Sequence, residues 1–314
     1  MCRWFAYMST SEPCLLEDVL ISPDHAIAKQ VHDRFLPYLT HYEPDTTPEE
    51  MSLRNSPFNL DGLGVVCRRR TPVFQSICAG TTARCVFAHI RAASGATAIT
   101  HYNNHPFAFG RLVFMHNGSV AHFDDVKRAL ALELSDAAHA RVKGTTDSEA
   151  LAALFFTYLE HQRGAEVWER AHPLEEMKEC LERAIRRVLE LQTAAMARVG
   201  KTPDASSLNI AVSDGEQLLA IRFRNHATEH PPSLYLSTRA GISLNRKFPG
   251  HPDLEGVDNG LQNLKAVEEH GDHVIIASEP TTFKEEDWEL IPKNQCIMVG
   301  RDMVVRRAPV AVLF

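Results

Sequence analysis

A chain of 314 residues, 44% hydrophobic and 23% charged, has the composition of a soluble globular protein, and no window approaches the roughly 18 continuous apolar residues a membrane span requires. The net charge is -7, and the one tight basic cluster, Arg68-Arg69-Arg70, lacks interleaved aromatics, which argues against nucleic acid as a partner. Seven cysteines, odd in number and without a CxxC pair, fit reduced thiols and a cytoplasmic location better than a disulfide framework.

Met1 to Met8 is apolar for too few residues to form a signal-peptide core, and polar Ser9 to Glu12 follows at once. Position 2 is not Gly, which excludes myristoylation. Short, partly β-branched apolar runs at 64–66, 86–90 and 112–115 are bounded by turn residues and predict buried strands. Thr146-Asp147-Ser148-Glu149 has the spacing of a capping box and predicts a helix from Asp147 through the dense apolar segment 151–159. Pro173 stands where a first helical residue would. Leu174, Met177, Leu181, Ile185 and Val188 then recur every three or four residues, predicting an amphipathic helix that reaches Arg198. The runs 208–212 and 218–223 flank Asp214-Gly215, a pair that tolerates positive φ, and predict a tight hairpin. Strands at 234–236, 273–277, 297–299 and 310–313 complete the tail. The stretch 247–263 is the least patterned and reads as a surface loop over a site or a plain connection. Strands, then helices, then strands again predict one α+β domain over 1–314.

Cys2 becomes the first residue when Met1 is removed, and nucleophile and base then belong to one residue. An α-amine has a reference pKa of about 7.7 to 8.0 and a thiol about 8.5, so near neutral pH the neutral amine can take the thiol proton. Position alone does not separate this from a small residue at the start of a strand. His116-Asn117-Gly118 directly follows the 112–115 run, where a side-chain amide and a glycine N–H can converge on a developing oxyanion; an ordinary Asn-Gly turn is the structural alternative. Arg91 closes the 86–90 strand beside small residues, which suits a bidentate carboxylate clamp or a surface arginine. Asp147, in the first turn of its helix, can receive an ammonium group or simply favour the helix N-terminus. His101 and His105 are four apart, but Gly95 and Pro106 bracket a loop and no Glu or Cys completes a ligand set, so no metal is expected. With no phosphate loop or Gly-x-Ser-x-Gly elbow, no cofactor is expected either.

In order along the chain, Cys2, His89-Ile90-Arg91-Ala92-Ala93-Ser94, Asn104-His105-Pro106, His116-Asn117-Gly118 and Thr145-Thr146-Asp147-Ser148-Glu149 resemble the class II glutamine amidotransferase domain. The resemblance implies an N-terminal-nucleophile hydrolase fold, an αββα four-layer sandwich of two antiparallel sheets. It makes Cys2 the nucleophile and Asn117 and Gly118 the oxyanion hole. Arg91 becomes the binder of the substrate α-carboxylate, with Ser94 beside it, Asp147 that of the α-amino group, and His105 a further substrate-binding residue. Ala92-Ala93-Ser94 departs from the bulkier residue and Thr common in the family. Further matches at Met1 to Tyr7, Asn59 to Gly64, Pro231 to Tyr235 and Ile276 to Pro280 are similar to a fungal amidotransferase-like subunit of glutathione degradation, and more distantly to a bacterial γ-glutamyl hydrolase of ergothioneine synthesis.

The resulting expectation is hydrolysis of a γ-glutamyl amide, glutathione first among the candidates, with a peptidase-fold partner subunit implied by the resemblance alone. Two rivals stand beside it. One is a glutaminase subunit that donates ammonia to a partner synthase, and the other is a non-catalytic subunit that keeps the pocket for sensing.

Overall fold

The computed structural model describes residues 2–23, 25–30, 62–64, 72–93, 97–244, 266–282 and 284–312. Ser94, Val65, Val66, the Arg68-Arg69-Arg70 cluster and the 247–263 stretch lie outside the described residues. The chain forms two compact units, the first from Met1–Ala93, Ser233–Ile291 and Arg301–Val304, the second from Ser94–Pro232, Pro292–Gly300 and Val305–Phe314. Among the described residues no helix is long and apolar enough to cross a membrane.

The sheet of the first unit contains β1 (Arg3–Met8), β3 (Gly62–Gly64), β5 (Cys85–Arg91), β10 (Tyr235–Ser237), β11 (Val274–Ala277) and β12 (Glu289–Leu290). Their order is β12-β10-β11-β1-β5-β3, with every neighbouring pair antiparallel. A separate ribbon pairs β2 (Cys14–Leu15) with β4 (Thr82–Ala83). Aromatic and apolar residues follow Arg3 in β1, which is buried along its whole length between β11 and β5. Alternation puts Phe5 and Tyr7 on one face. There they join Val86, Ala88, Ile90, Ile275 and Ala277 against Val19 and Leu20 of the short helix Leu16–Leu20. Arg3 heads the same row of side chains, and Cys2 is the residue that leads into it.

The sheet of the second unit contains β6 (Phe107–Phe109), β7 (Leu112–Ser119), β8 (Ser207–Ser213), β9 (Leu218–Arg224), β13 (Gln295–Val299) and β14 (Val305–Pro309). They run antiparallel in the order β14-β13-β9-β8-β7-β6. One face carries Leu112, Phe114, Ile210, Val212, Leu219 and Ile221, in one core with the Asp147–Arg163 and Leu174–Ala197 helices. Rings interlock here, Phe109 on Phe156 at 4.3 Å and Phe156 on Trp168 at 5.5 Å. The opposite face holds Met115, Asn117, Asn209, Ala211 and Arg222, all buried as well.

The α+β expectation is met by two large antiparallel sheets with helices; both long helices start within a residue of their sequence signals, the first running past its apolar segment to Arg163 and the second ending at Ala197, one residue short of its expected end. Three details differ. Pro173 is the N-cap of its helix instead of the first helical residue. The hairpin loop is four residues long, Asp214 Oδ1 accepting from the N–H groups of Glu216 and Gln217 at 3.0 and 2.9 Å, with Gly215 at φ 91°. The last strand is β14, ahead of the expected 310–313. Val310 and Val312 instead enter the core beyond the strand end, while exposed Arg306 and Arg307 on this edge strand hide its period from an apolar search.

Candidate active site

In the first unit, the register of Arg3 with Ile90 brings Arg91 one rung further on, beside Cys2. The half-buried Cys2 Sγ accepts from the Ala92 N–H at 3.3 Å and lies 3.5 Å from the Ala92 carbonyl. A thiol uses both contacts, and a thiolate keeps the first. Arg91 is the last residue of β5 and buried, 4% exposed. A guanidinium so enclosed needs anionic or carbonyl partners, which makes a surface-arginine reading untenable. Burial pushes the thiols of Cys78 up to about 11 and of Cys180 and Cys296 up to about 12. Those thiols are structural and inert near neutral pH.

In the second unit, β7 continues through Ser119, so Asn117 and Gly118 lie on the strand and no Asn-Gly turn exists there. Gly118 has φ 144°, and a Cβ on it would stand 1.8 Å from the Ser207 carbonyl oxygen. Only glycine allows β7 and β8 to approach so closely at this point. Asn117 pairs across the ladder with Asn209 and is 2% exposed. Neither its Nδ2 nor its Oδ1 has a hydrogen-bond partner among the described residues. A buried amide left in that state costs free energy unless something else meets it.

Asp147 opens its helix as expected, with Thr146 as N-cap accepting from Glu149 N–H at 3.2 Å. The capping box is incomplete, because Glu149 turns its carboxylate to the N–H groups of Lys143 and Gly144 instead of back to Thr146. Asp147 Oδ2 accepts from Val120 N–H and Oδ1 from Ser148 N–H, both at 2.8 Å, tying the helix start to the chain just past Gly118. Carboxylate lone pairs remain for a further donor.

His116 forms a second tie, with Nδ1 2.8 Å from Ser148 Oγ and Nε2 3.3 Å from the Ser207 carbonyl. A carbonyl only accepts, so Nε2 carries the proton and Nδ1 accepts from the Ser148 hydroxyl. Burial holds this imidazole below its usual pKa, against the opposing pull of Asp147. His105 is buried, its ring 4.5 Å from that of Phe107. The loop before it is laced to the Asp147 helix by Asn103, whose Oδ1 accepts from Thr145 N–H at 2.8 Å.

The structure thus assembles Cys2 with Arg91 in one unit, and Asn117, Gly118 and Asp147 in the other. Sequence reasoning gave no role to the Ala92 amide, to Ser148 or to the ring of His116. Backbone donors leave no sequence signal, and a Ser after an Asp at a helix start reads as capping. Among the described residues, no group of three or more His, Cys, Asp or Glu side chains is placed to hold a metal ion.

The model of the family "Glutamine amidotransferases class-II" matches residues 74–311. The chain is 26% identical over 328 residues to the probable glutamine amidotransferase DUG3 of Saccharomyces cerevisiae, covering 97% of this chain and 83% of that protein. A solved glutamine aminotransferase class-II domain protein from Silicibacter pomeroyi aligns with 100% of both chains at a TM-score of 0.57 and 20% identity, a likeness of fold.

Proposed function

Because the chain belongs to the class II glutamine amidotransferases, we propose that it hydrolyses the γ-glutamyl amide of glutathione or a related γ-glutamyl compound through a thioester on Cys2. Amide hydrolysis is the family's common chemistry; the choice of γ-glutamyl substrate is the step taken here. The observation that carries it is the Cys2 thiol, second in the chain, half-buried and held by the Ala92 N–H beside the buried Arg91. The similarity of the Met1 to Tyr7, Pro231 to Tyr235 and Ile276 to Pro280 segments to a fungal glutathione-degradation subunit favours glutathione over glutamine.

With Met1 removed, the Cys2 amine takes the thiol proton and the sulfur attacks the γ-carbonyl carbon. The C–S bond forms, and negative charge moves to the carbonyl oxygen, where the Asn117 amide and the Gly118 N–H are assigned as donors. Collapse breaks the C–N bond, and the ammonium returns its proton to the departing amine. Water, deprotonated by the same amine, then cleaves the thioester to release glutamate and restore the thiol. Arg91, with Ser94, is assigned to the substrate α-carboxylate, Asp147 to the α-ammonium, and His105 to substrate binding. A peptidase-fold partner belongs to this reading as well.

The test is glutamate release from glutathione and from glutamine, by the purified chain alone and with a candidate partner. Glutathione turnover that disappears in Cys2→Ala is expected. A clear preference for glutamine would support the ammonia-donating alternative. Cys2 left unlabelled by a γ-glutamyl diazoketone, or Met1 still attached by intact mass, would eliminate the thioester mechanism.

A further inference from the structure

Residues of three sequence segments to which the proposed chemistry gives no role meet beside the nucleophile. Arg3 of the first segment, buried with its side chain 5% exposed, has its Nε 3.4 Å from Glu279 Oε1. Glu279, from the Ile276 to Pro280 segment, accepts from the Ser233 hydroxyl of the Pro231 to Tyr235 segment at 3.0 Å. Arg3 Nη1 in turn donates to the Cys2 carbonyl at 3.3 Å. The adjacent Ser278 clamps Trp4 from both sides, its Oγ accepting from Trp4 N–H at 3.0 Å and its N–H donating to the Trp4 carbonyl at 2.9 Å.

This arrangement has a cost that packing alone does not justify. Taking a guanidinium and a carboxylate out of water stabilises a fold little, and apolar residues of like volume often serve as well or better. Alternation along β1 puts Arg3 in the row of Phe5 and Tyr7, where an apolar side chain would continue the core. What the ion pair adds is a directed donor to the carbonyl of the residue whose thiol and amine do the chemistry. A first residue is held by the peptide bond on one side only, so its orientation depends on contacts of this kind.

We infer that Arg3, anchored by Glu279 and Ser233, is a positioning residue that fixes the Cys2 carbonyl and with it the aim of the terminal nucleophile. The inference rests on the reading of Cys2 as nucleophile. It also gives the two outlying segments a shared purpose, since one supplies the carboxylate and the other the hydroxyl that orients it.

The test is the double variant Arg3→Met with Glu279→Met, which removes both charges and leaves neither buried alone. The protein should fold with a thermal midpoint near that of the wild type. Its kcat per labelled Cys2 should fall about 100-fold, the penalty typical of a small misplacement, while KM changes by less than about threefold because the substrate head-group contacts are untouched. A kcat within about threefold of wild type would make the pair merely structural and overturn the inference. Glu279→Gln, which keeps volume and an acceptor for Ser233, gives the same comparison without an apolar pair and should lose roughly tenfold in kcat.

Alkylation separates this inference from the parent reading. If the wild type releases no glutamate from either substrate, the γ-glutamyl reading fails, yet the rate of Cys2 modification by iodoacetamide at neutral pH still reports on positioning. Glutamate-specific proteolysis, which spares the Glu12–Pro13 bond, releases the segment from Cys2 to Glu17, and fragmentation by tandem mass spectrometry tells modified Cys2 from modified Cys14. A Cys2 that drifts from the Ala92 N–H loses thiolate character, so the double variant should react about fivefold more slowly. Equal rates would refute the positioning role.

Discussion

Asn117→Leu should make this protein more stable and a far poorer catalyst. The substitution keeps the branched outline of the side chain and replaces two polar atoms by methyl groups. Asn117 is 2% exposed, and neither amide atom finds a partner among the described residues. Each buried unsatisfied group costs about 1–3 kcal/mol, so removing two recovers about 2–6 kcal/mol. The greater bulk of leucine gives back about 1–3 kcal/mol through overpacking, leaving a net gain of roughly 1–3 kcal/mol. Loss of one oxyanion donor lowers kcat about 10²–10³-fold, equivalent to about 2.7–4 kcal/mol of transition-state stabilisation. Urea unfolding and steady-state glutamate release on the same preparation measure both. A variant destabilised by more than about 1 kcal/mol would mean that the native amide is satisfied within the protein. An unchanged kcat would mean that the amide meets no developing charge.

Gly118→Ala should cost roughly 3–5 kcal/mol, combining positive-φ strain with loss of ladder and His116–Ser207 bonding, because its Cβ would overlap the Ser207 carbonyl. A urea midpoint showing less than about 1 kcal/mol of loss would mean the strands separate freely. Asp147→Ala should cost about 2–4 kcal/mol by stranding the Val120 and Ser148 N–H groups, and should raise KM for the γ-glutamyl substrate. An unchanged KM would leave Asp147 as a capping residue only. Stability should also fall as pH drops below about 6.5. Burial depresses the pKa of both His116 and His273 in the folded state, so the unfolded chain binds the extra proton first. Stability is therefore complete above the unfolded pKa and declines as pH falls through it. A flat profile of unfolding free energy between pH 7.5 and 5.5 would contradict this assignment.

Periodicity made the helices legible, since Leu174, Met177, Leu181, Ile185 and Val188 all reach the core in the spacing the sequence displays. Chain-terminating signals were less reliable. Asn117-Gly118 has the composition of a turn, yet β7 passes straight through it, because the glycine serves close approach of two strands. The Thr146–Glu149 spacing located the helix start correctly, but a nearer pair of loop N–H groups took the Glu149 carboxylate. The helix Phe123–Ala131 has only Val126 and Leu130 buried along it, too few to set a period in the sequence. Candidate site residues were legible as a pattern of types along the chain, and Arg91 and Asn117 gained force only from burial. Arg3 and Glu279 could be seen as charges within apolar runs, but their pairing across more than 270 positions leaves no local trace.

The two ties between β7 and the Asp147 helix bear on how the site should respond to mutation. His116 and Asp147 each join the end of β7 to the first turn of that helix, one through Ser148 and Ser207, the other through Val120. Asn117 and Gly118 lie between those ties in sequence, so the proposed oxyanion donors and the proposed ammonium acceptor are fixed to one another within the second unit. A substitution that loosens either tie therefore shifts donors and acceptor together, and its effects on KM and kcat should be coupled. The Asn117 side chain points to the other face of the sheet and takes no part in either tie. Its replacement should act on kcat alone, which is why Asn117→Leu, and not Asp147→Ala, isolates the contribution of charge stabilisation from that of substrate placement.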